Sequence, residues 1–328
     1  MVGKILGGIA AKRTPFNPLD RSRIIEGTIC KGNKRKYYQG GVRYREKTKD
    51  VAADMFGCNL TCTFCWADEE RAGPPDFYSP IEIAGKMFAL ASQKFGSNDW
   101  AYLMLTRGEP CIGRDHLVGI MDEVKRFDVS RYGSFYFELQ TNGILLGADQ
   151  GEYARELASR GPDSLHVRIS LKGGTPEGFE KRTGAAGKFL EYQYRAINHL
   201  KGAKIKTTIA AMIDPLLMTR EERDELLRRL KDSGCISDKH HYNVLRGWSE
   251  EEWLQRLLTG SNGIFSSPYS GDTDWPQRGR WAYVEFESIY PYSGVARRLK
   301  AAGCEDIIDG IKRRYPSKVQ DIKEELGE

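Results

Sequence analysis

Three cysteines, Cys58, Cys62 and Cys65, fall within eight residues of a 328-residue chain, in the stretch Gly57-Cys58-Asn59-Leu60-Thr61-Cys62-Thr63-Phe64-Cys65-Trp66. Their spacing is C-x3-C-x2-C. Thiolates are soft ligands that suit zinc or iron–sulfur chemistry. A structural zinc site closes its shell with four ligands, and most iron–sulfur clusters are held by four cysteines. Only three thiolates are at hand here. Cys30, Cys111, Cys235 and Cys304 are scattered, none forms a C-x-x-C pair, and His116, the nearest histidine, lies some fifty residues on. The bland alternatives are a chance cluster or a partial zinc site, which would want a second ligand pair. A disulfide framework does not suit a long chain with an odd cysteine count and no secretory segment. Three cysteines without a fourth ligand point instead to a cluster that keeps one iron open to bind something else.

Three further polar motifs follow apolar runs: Arg107-Gly108-Glu109-Pro110, Thr141-Asn142-Gly143 and Lys172-Gly173-Gly174. Read as strands, the runs before the last two place Glu138, Gln140 and Asn142 on one face, and Arg168, Ser170 and Lys172 on another. The opposite faces carry Phe137, Leu139 and Thr141, and Val167, Ile169 and Leu171. A parallel sheet covered by helices is apolar on its helix side, so the polar sets are expected to point inward. Inward polar groups need partners. An internal hydrogen-bond network is the plain alternative to a ligand.

These positions depend on a strand–helix alternation that starts near residue 48. Strands are expected at Asp50–Phe56, Ala101–Thr106, Phe135–Gln140, Leu165–Leu171 and Ile205–Met212. Helices are expected between them. Ser79-Pro80-Ile81-Glu82 is a capping box with proline at the first helical position. Thr219-Arg220-Glu221-Glu222 starts another helix. About six βα units fit between residues 48 and 235, which implies an α/β fold with a parallel sheet, a partial or closed barrel. Active sites of such folds lie at the carboxyl ends of the strands, where all four motifs fall. Three regions are expected: a basic arm over 1–47, a core barrel over 48–235 and an α+β extension over 236–328 that closes or flanks the barrel. In the last, Ser249-Glu250-Glu251-Glu252 caps a short helix, 261–280 reads as a loop and Trp281–Tyr290 as a strand.

The cysteine motif, with an aromatic residue (Phe64) just before the third cysteine, resembles the signature of the radical S-adenosylmethionine (SAM) superfamily. The resemblance covers residue 48 to about 215. It implies a partial (β/α)6 barrel and a [4Fe-4S] cluster on Cys58, Cys62 and Cys65, whose open iron holds the amino and carboxylate groups of SAM. One electron from the reduced cluster would split SAM into methionine and a 5′-deoxyadenosyl radical, which abstracts hydrogen from a substrate. The hard chemistry is the cofactor's; the protein binds, orients and shields it. Gly108-Glu109-Pro110 is similar to the family's Gly-Gly-Glu segment, which receives the SAM amino group, with Arg107 in place of the first glycine. Glycine permits close backbone approach, and a carboxylate stabilises an ammonium. The resemblance also implies cofactor contacts for Phe64, Gln140, Asn142, Arg168, Ser170 and Lys172. Ser170-Leu171-Lys172 is similar to the Asp-Leu-Lys of glycyl-radical activating enzymes, with serine for aspartate. Within the superfamily the chain resembles a group of iron–sulfur oxidoreductases related to those activases. Phe64-Cys65-Trp66 also resembles the wybutosine-forming tRNA enzyme, but the flanking residues do not extend that match.

The resemblance implies a one-electron donor such as flavodoxin or ferredoxin. The substrate stays open among a protein loop, as for an activase; an RNA; and a small molecule, for which Arg280 and Trp281 could line the barrel. A lapsed binding protein is the non-enzyme alternative, and the intact cysteines and Gly-Glu-Pro argue against it. Net charge is +5, but Lys31 to Lys49 holds eight Lys/Arg and one acid with Tyr37, Tyr38 and Tyr44 interleaved. Such a stretch could contact nucleic acid. A solvated arm, or an edge hairpin turning at Gly40-Gly41, is the favoured reading. No apolar run is long enough to span a membrane, and the N-terminal run reads as an arm or tail rather than a signal peptide, so a cytoplasmic, reducing compartment is expected. Met212 could flank adenine, with core packing as its default. Cys111 and Cys304 could approach the site, and His240 and His241 have no ligand partner at useful spacing.

Overall fold

The computed structural model describes residues 14–65, 67, 74–236, 247, 249, 251–252, 255, 264–266, 282–289 and 294–328. A helix the sequence reading left inside the arm comes first, α1 (Pro18–Ile29). Its start signal was present. The Asn17 side chain accepts the Leu19 N–H at 2.9 Å and Pro18 takes the first turn, where its missing donor costs nothing.

A short β1 (Cys30–Lys31) then pairs antiparallel with β2 (Lys34–Arg45), which pairs antiparallel with β3 (Asp50–Met55) and with β4 (Asp76–Tyr78). Residues 34–45 are therefore neither a solvated arm nor a hairpin turning at Gly40-Gly41. They form one strand, and Gly40-Gly41 is a bulge in it. Tyr37 faces Met55 while Val42 faces Ala53, so the extra residues are absorbed between them. Gly40 and Gly41 hold φ of 81° and 74°, and a Cβ on Gly41 would meet the Tyr78 ring at 2.7 Å. Tyr37, Tyr38 and Arg35 are buried. The lysine-rich composition hid an alternating strand with one face turned to the core.

The alternation then runs as expected: α2 (Pro80–Lys94), β5 (Trp100–Arg107), α3 (Arg114–Arg126), β6 (Ser134–Thr141), α4 (Glu152–Arg160), β7 (Leu165–Leu171), α5 (Pro176–Thr183), α6 (Leu190–Gly202), β8 (Lys206–Met212) and α7 (Arg220–Asp232). Both expected caps form. Ser79 and Glu82 make the reciprocal capping box of α2, and Thr219 accepts the Glu222 N–H of α7. After β9 (Ile264–Ser266) and β10 (Ala282–Glu287) come α8 (Val295–Ala301), α9 (Glu305–Arg314) and α10 (Val319–Leu326).

The sheet order is β1-β2-β3-β5-β6-β7-β8-β10-β9. Neighbours from β3 through β10 are parallel, and β9 pairs antiparallel on β10. Among the described residues between 48 and 235 there are thus five parallel strands rather than about six. The sixth, β10, comes from the C-terminal stretch, so the sheet crosses the boundary drawn at 235/236, and the pairing of β2 with β3 carries it across the one at 47/48. Helix-facing residues such as Leu105, Leu139, Ile169 and Ile209 are fully buried. Each contributes roughly 1.5–3 kcal/mol of apolar burial. That leaves the other face of each strand for the polar sets.

Candidate active site at the carboxyl ends of the strands

The cysteine loop begins where β3 ends. Gly57 turns the chain at φ 85°, and a Cβ there would press on Ile25 and Ile29 at 3.1 Å. The loop then docks on the end of α5. Thr61 N donates to Thr183 O and Thr63 N to Arg182 O, both at 3.0 Å. Leu60 and Phe64 are buried beneath it, and all three thiols are half-buried and unpaired. Cys58 Sγ accepts the Leu60 N–H at 3.5 Å and the Asn142 amide at 3.9 Å. Burial pushes the Cys58 thiol well above its ordinary range, and raises Cys62 to about 11 against the opposing charge of Lys172. Metal binding to such thiols displaces their protons.

The Gly-Glu-Pro turn locks this loop to its neighbours. A Cβ on Gly108 would stand 2.4 Å from Gly57 O, and Glu109 N donates to that same carbonyl at 2.7 Å. The Glu109 carboxylate, fully buried, accepts from Cys111 N (2.9 Å), Thr141 Oγ1 (2.6 Å) and Asn142 N (2.7 Å). Burial raises its pKa in spite of these three donors. The sequence reading gave this carboxylate an ammonium partner. The chain itself fills most of its acceptor sites.

Sequence reasoning missed Arg35. Its buried guanidinium donates to the carbonyls of Pro110 (2.8 Å), Glu109 (2.8 Å), Phe56 (3.3 Å) and Ile112. It therefore braces the cysteine loop and the Gly-Glu-Pro turn at once. Gln193 of α6 was missed as well. Its amide donates to Asn142 O (2.6 Å) and Ser170 O (2.9 Å) and accepts from Lys172 N (3.0 Å), which sets the ends of β6 and β7 side by side. Neither residue has a local motif; each acts across a long sequence separation.

The expected site residues fall into two groups. Asn142 lies beside Cys58 and donates to Asn59 Oδ1 at 2.7 Å. The Lys172 ammonium stands 5.4 Å from the Phe64 ring centroid. Ser170 and Lys172 end β7 next to Asn142 through Gln193. Gln140 and Arg168 lie one row deeper and face each other across β6 and β7. Gln140 donates to Glu138 at 2.6 Å and accepts from Thr106 at 2.5 Å. Burial works against the Glu138 charge, but His166, Arg168 and Gln140 outweigh it and hold the carboxyl near 2. Arg168 was expected to meet the carboxylate or ribose of SAM. Instead it pairs with Glu285 and, at 2.8 Å, with Glu287. Both come from β10, in the extension expected to close or flank the barrel, so the chain itself supplies partners for Arg168.

Met212 is buried in the core. Cys111 is brought beside Glu109 and Thr141, while Cys304 precedes α9 and donates to Ala302 O at 3.6 Å. His240, His241, Arg280 and Trp281 lie outside the described residues.

Among the described residues no three His, Cys, Asp or Glu side chains converge to hold a single metal ion. The donor chemistry of the loop, three soft thiols with cations and N–H groups around them, fits an iron–sulfur cluster, whose irons spread the thiolates apart.

A sequence model of the Radical SAM superfamily matches residues 54–230, more than half of the chain. No curated protein matches it. Similar solved structures include the following three. Native anSMEcpe with bound AdoMet has 17% identity and a TM-score of 0.43, over 62% of this chain and 56% of that one. SuiB of Streptococcus suis bound to precursor peptide SuiA has 16% identity and a TM-score of 0.39, over 54% and 35%. TYW1 with a lysine-pyruvate adduct bound has 14% identity and a TM-score of 0.39, over 65% and 77%. The chain thus spans little more than half the length of anSMEcpe. On the family match, the chain belongs to the Radical SAM superfamily, whose members are enzymes that use a [4Fe-4S] cluster and S-adenosylmethionine.

Proposed function

We propose that Cys58, Cys62 and Cys65 hold the cluster and that the hydrogen-atom donor is a segment of polypeptide. When bound and reduced, the cluster and SAM supply a 5′-deoxyadenosyl radical. The chain's own residues position that chemistry. Asn142 orients Cys58, and Phe64 closes the loop over the core. Ser170 and Lys172 offer a hydroxyl and a cation to SAM at the end of β7. Glu109 offers its remaining acceptor capacity to the SAM ammonium, with Gly108 allowing the backbone to approach. Gln140 and Arg168 keep the interior polar and fixed. The electron comes from a small donor such as flavodoxin or ferredoxin, in a cytoplasmic setting. Among the described residues no helix is long and apolar enough to cross a membrane.

The observation that carries the polypeptide reading is the open edge of the sheet. Among the described strands the order runs from β1 to β9 without a pairing that joins its ends. A side entrance of that kind admits an extended chain. Residues 34–45, on which an RNA reading rested, form a strand of the sheet with Arg35 buried.

The test is anaerobic reconstitution with iron and sulfide, then reductant and SAM, with 5′-deoxyadenosine as the product measured. Formation is expected to require all three cysteines. Cell extract is expected to stimulate it, with stimulation lost after protease and kept after ribonuclease. Loss to ribonuclease instead would assign the substrate to RNA. Full cleavage by a Cys62→Ala variant would remove the ligand assignment itself.

A further inference from the structure

α8 stands at the mouth of the barrel although it lies outside the family-matched residues. The segment that carries it is anchored at several points. Val295 and Leu299 are buried in the core. Gly294 N and Arg297 N donate to Glu325 at 2.9 and 2.8 Å. Farther along, Arg314 of α9 pairs with the fully buried Asp214, just past the end of β8, and Asp214 also accepts from Ile289 N at 2.8 Å. The segment is thus bolted to the carboxyl ends of β8 and β10.

From this fixed base Arg298 reaches the cysteine loop and donates to the backbone carbonyl of Cys65. The two residues are 233 positions apart. The Arg298 Nε is buried and has no hydrogen-bond partner among the described residues. An orphaned buried donor is costly, so a guanidinium held this way calls for a negative group beside it.

We infer that Arg298 is a positioning residue for the cluster, fixing the third cysteine and placing a permanent positive charge beside the anionic iron–sulfur centre. The inference rests on the assignment of Cys58, Cys62 and Cys65 as ligands. The reduction potential of such clusters follows net charge, hydrogen bonding and solvent exposure. A fixed cation stabilises the reduced, more negative state and so eases electron entry. Arginine suits the task because it keeps its charge and presents several donors in one plane.

The experiment compares wild type, Arg298→Lys and Arg298→Gln after anaerobic reconstitution. It measures iron content, the cluster midpoint potential by electron paramagnetic resonance titration, and thermal unfolding of the apo-protein. The expected result is full iron in all three, a near-native midpoint for Arg298→Lys and a more negative midpoint for Arg298→Gln. An unchanged midpoint in a fully loaded Arg298→Gln overturns the inference. If Arg298→Gln loses iron, the apo-protein decides. Unchanged unfolding with rescue by lysine supports positioning, and lowered unfolding or no rescue assigns Arg298 to the fold and overturns it. A cluster that survives Cys65→Ala would instead sink the ligand assignment, a separate failure.

Discussion

The Glu109 carboxylate accepts the backbone N–H of Asn142 at 2.7 Å, and through it the turn after β5 is tied to the turn after β6. The other carboxylate oxygen takes Cys111 N and the Thr141 hydroxyl. A glutamine here must turn its NH2 toward one of two backbone N–H donors, whichever way it is placed. Glu109→Gln is therefore expected to lower the stability of the apo-protein by about 1–3 kcal/mol, as well as weakening SAM binding. Urea unfolding without iron or SAM checks this. If Glu109 served SAM alone, the apo-protein would unfold at the same urea concentration as wild type.

Arg35 is the second brace. Replacement by methionine leaves the carbonyls of Phe56, Glu109, Pro110 and Ile112 without their donor. Each acceptor so stranded costs roughly 1–3 kcal/mol, less whatever water recovers. Lysine keeps the charge but offers one ammonium where a planar fork spanned four oxygens. The expected order of stability is wild type, then Arg35→Lys, then Arg35→Met, with cluster retention falling in parallel. Denaturant midpoints and iron content read both. A stable, fully loaded Arg35→Met would place the bracing elsewhere.

The pattern of what the sequence disclosed follows from these two residues. β5, β6 and β7 were legible because burial on the helix side imposes alternation, which a local window records. The cysteine spacing is local too, and a short window records it. Arg35 was hidden because a buried arginine among lysines has the same letters as a solvated one. Arg168 was placed correctly on the inner face, but its partners Glu285 and Glu287 sit more than a hundred residues away in the sequence, on β10. The face of a side chain is a local property, whereas its partner is not.

His116 gives the fold a pH dependence of known sign. It is buried, with Nε2 accepting from the Tyr37 hydroxyl and Nδ1 donating to Asn33 O, both at 2.9 Å. Burial lowers its pKa from the usual 6.5 to about 4. Between those values the unfolded chain binds a proton that the folded chain refuses. Stability is therefore expected to fall as pH drops from about 6.5 to about 4, by on the order of 3 kcal/mol from this group, and to be insensitive to it above 7. His116→Gln removes the titration. Unfolding free energies measured at several pH values should give a flatter slope across that window than wild type. Parallel slopes would mean that His116 is protonated in the folded protein.

Gly108 offers the sharpest steric test, because what it touches cannot move aside. A methyl group at this position would meet Gly57 O at 2.4 Å and Met55 O at 2.7 Å, both backbone atoms of the strand and turn that lead into the cysteine loop. Gly108→Ala must push the two turns apart, which also strains the Glu109 N to Gly57 O bond. The control is Gly85 in the middle of α2, where a Cβ meets nothing within 4 Å. There alanine is expected to add about 0.5–1 kcal/mol, since it restricts the unfolded chain and favours helix. The same chemical change thus has opposite signs at two sites. Thermal unfolding of the apo-proteins should show Gly85→Ala above wild type and Gly108→Ala below it. Iron uptake should fail only in Gly108→Ala, because only there does the added carbon displace the loop that carries Cys58, Cys62 and Cys65.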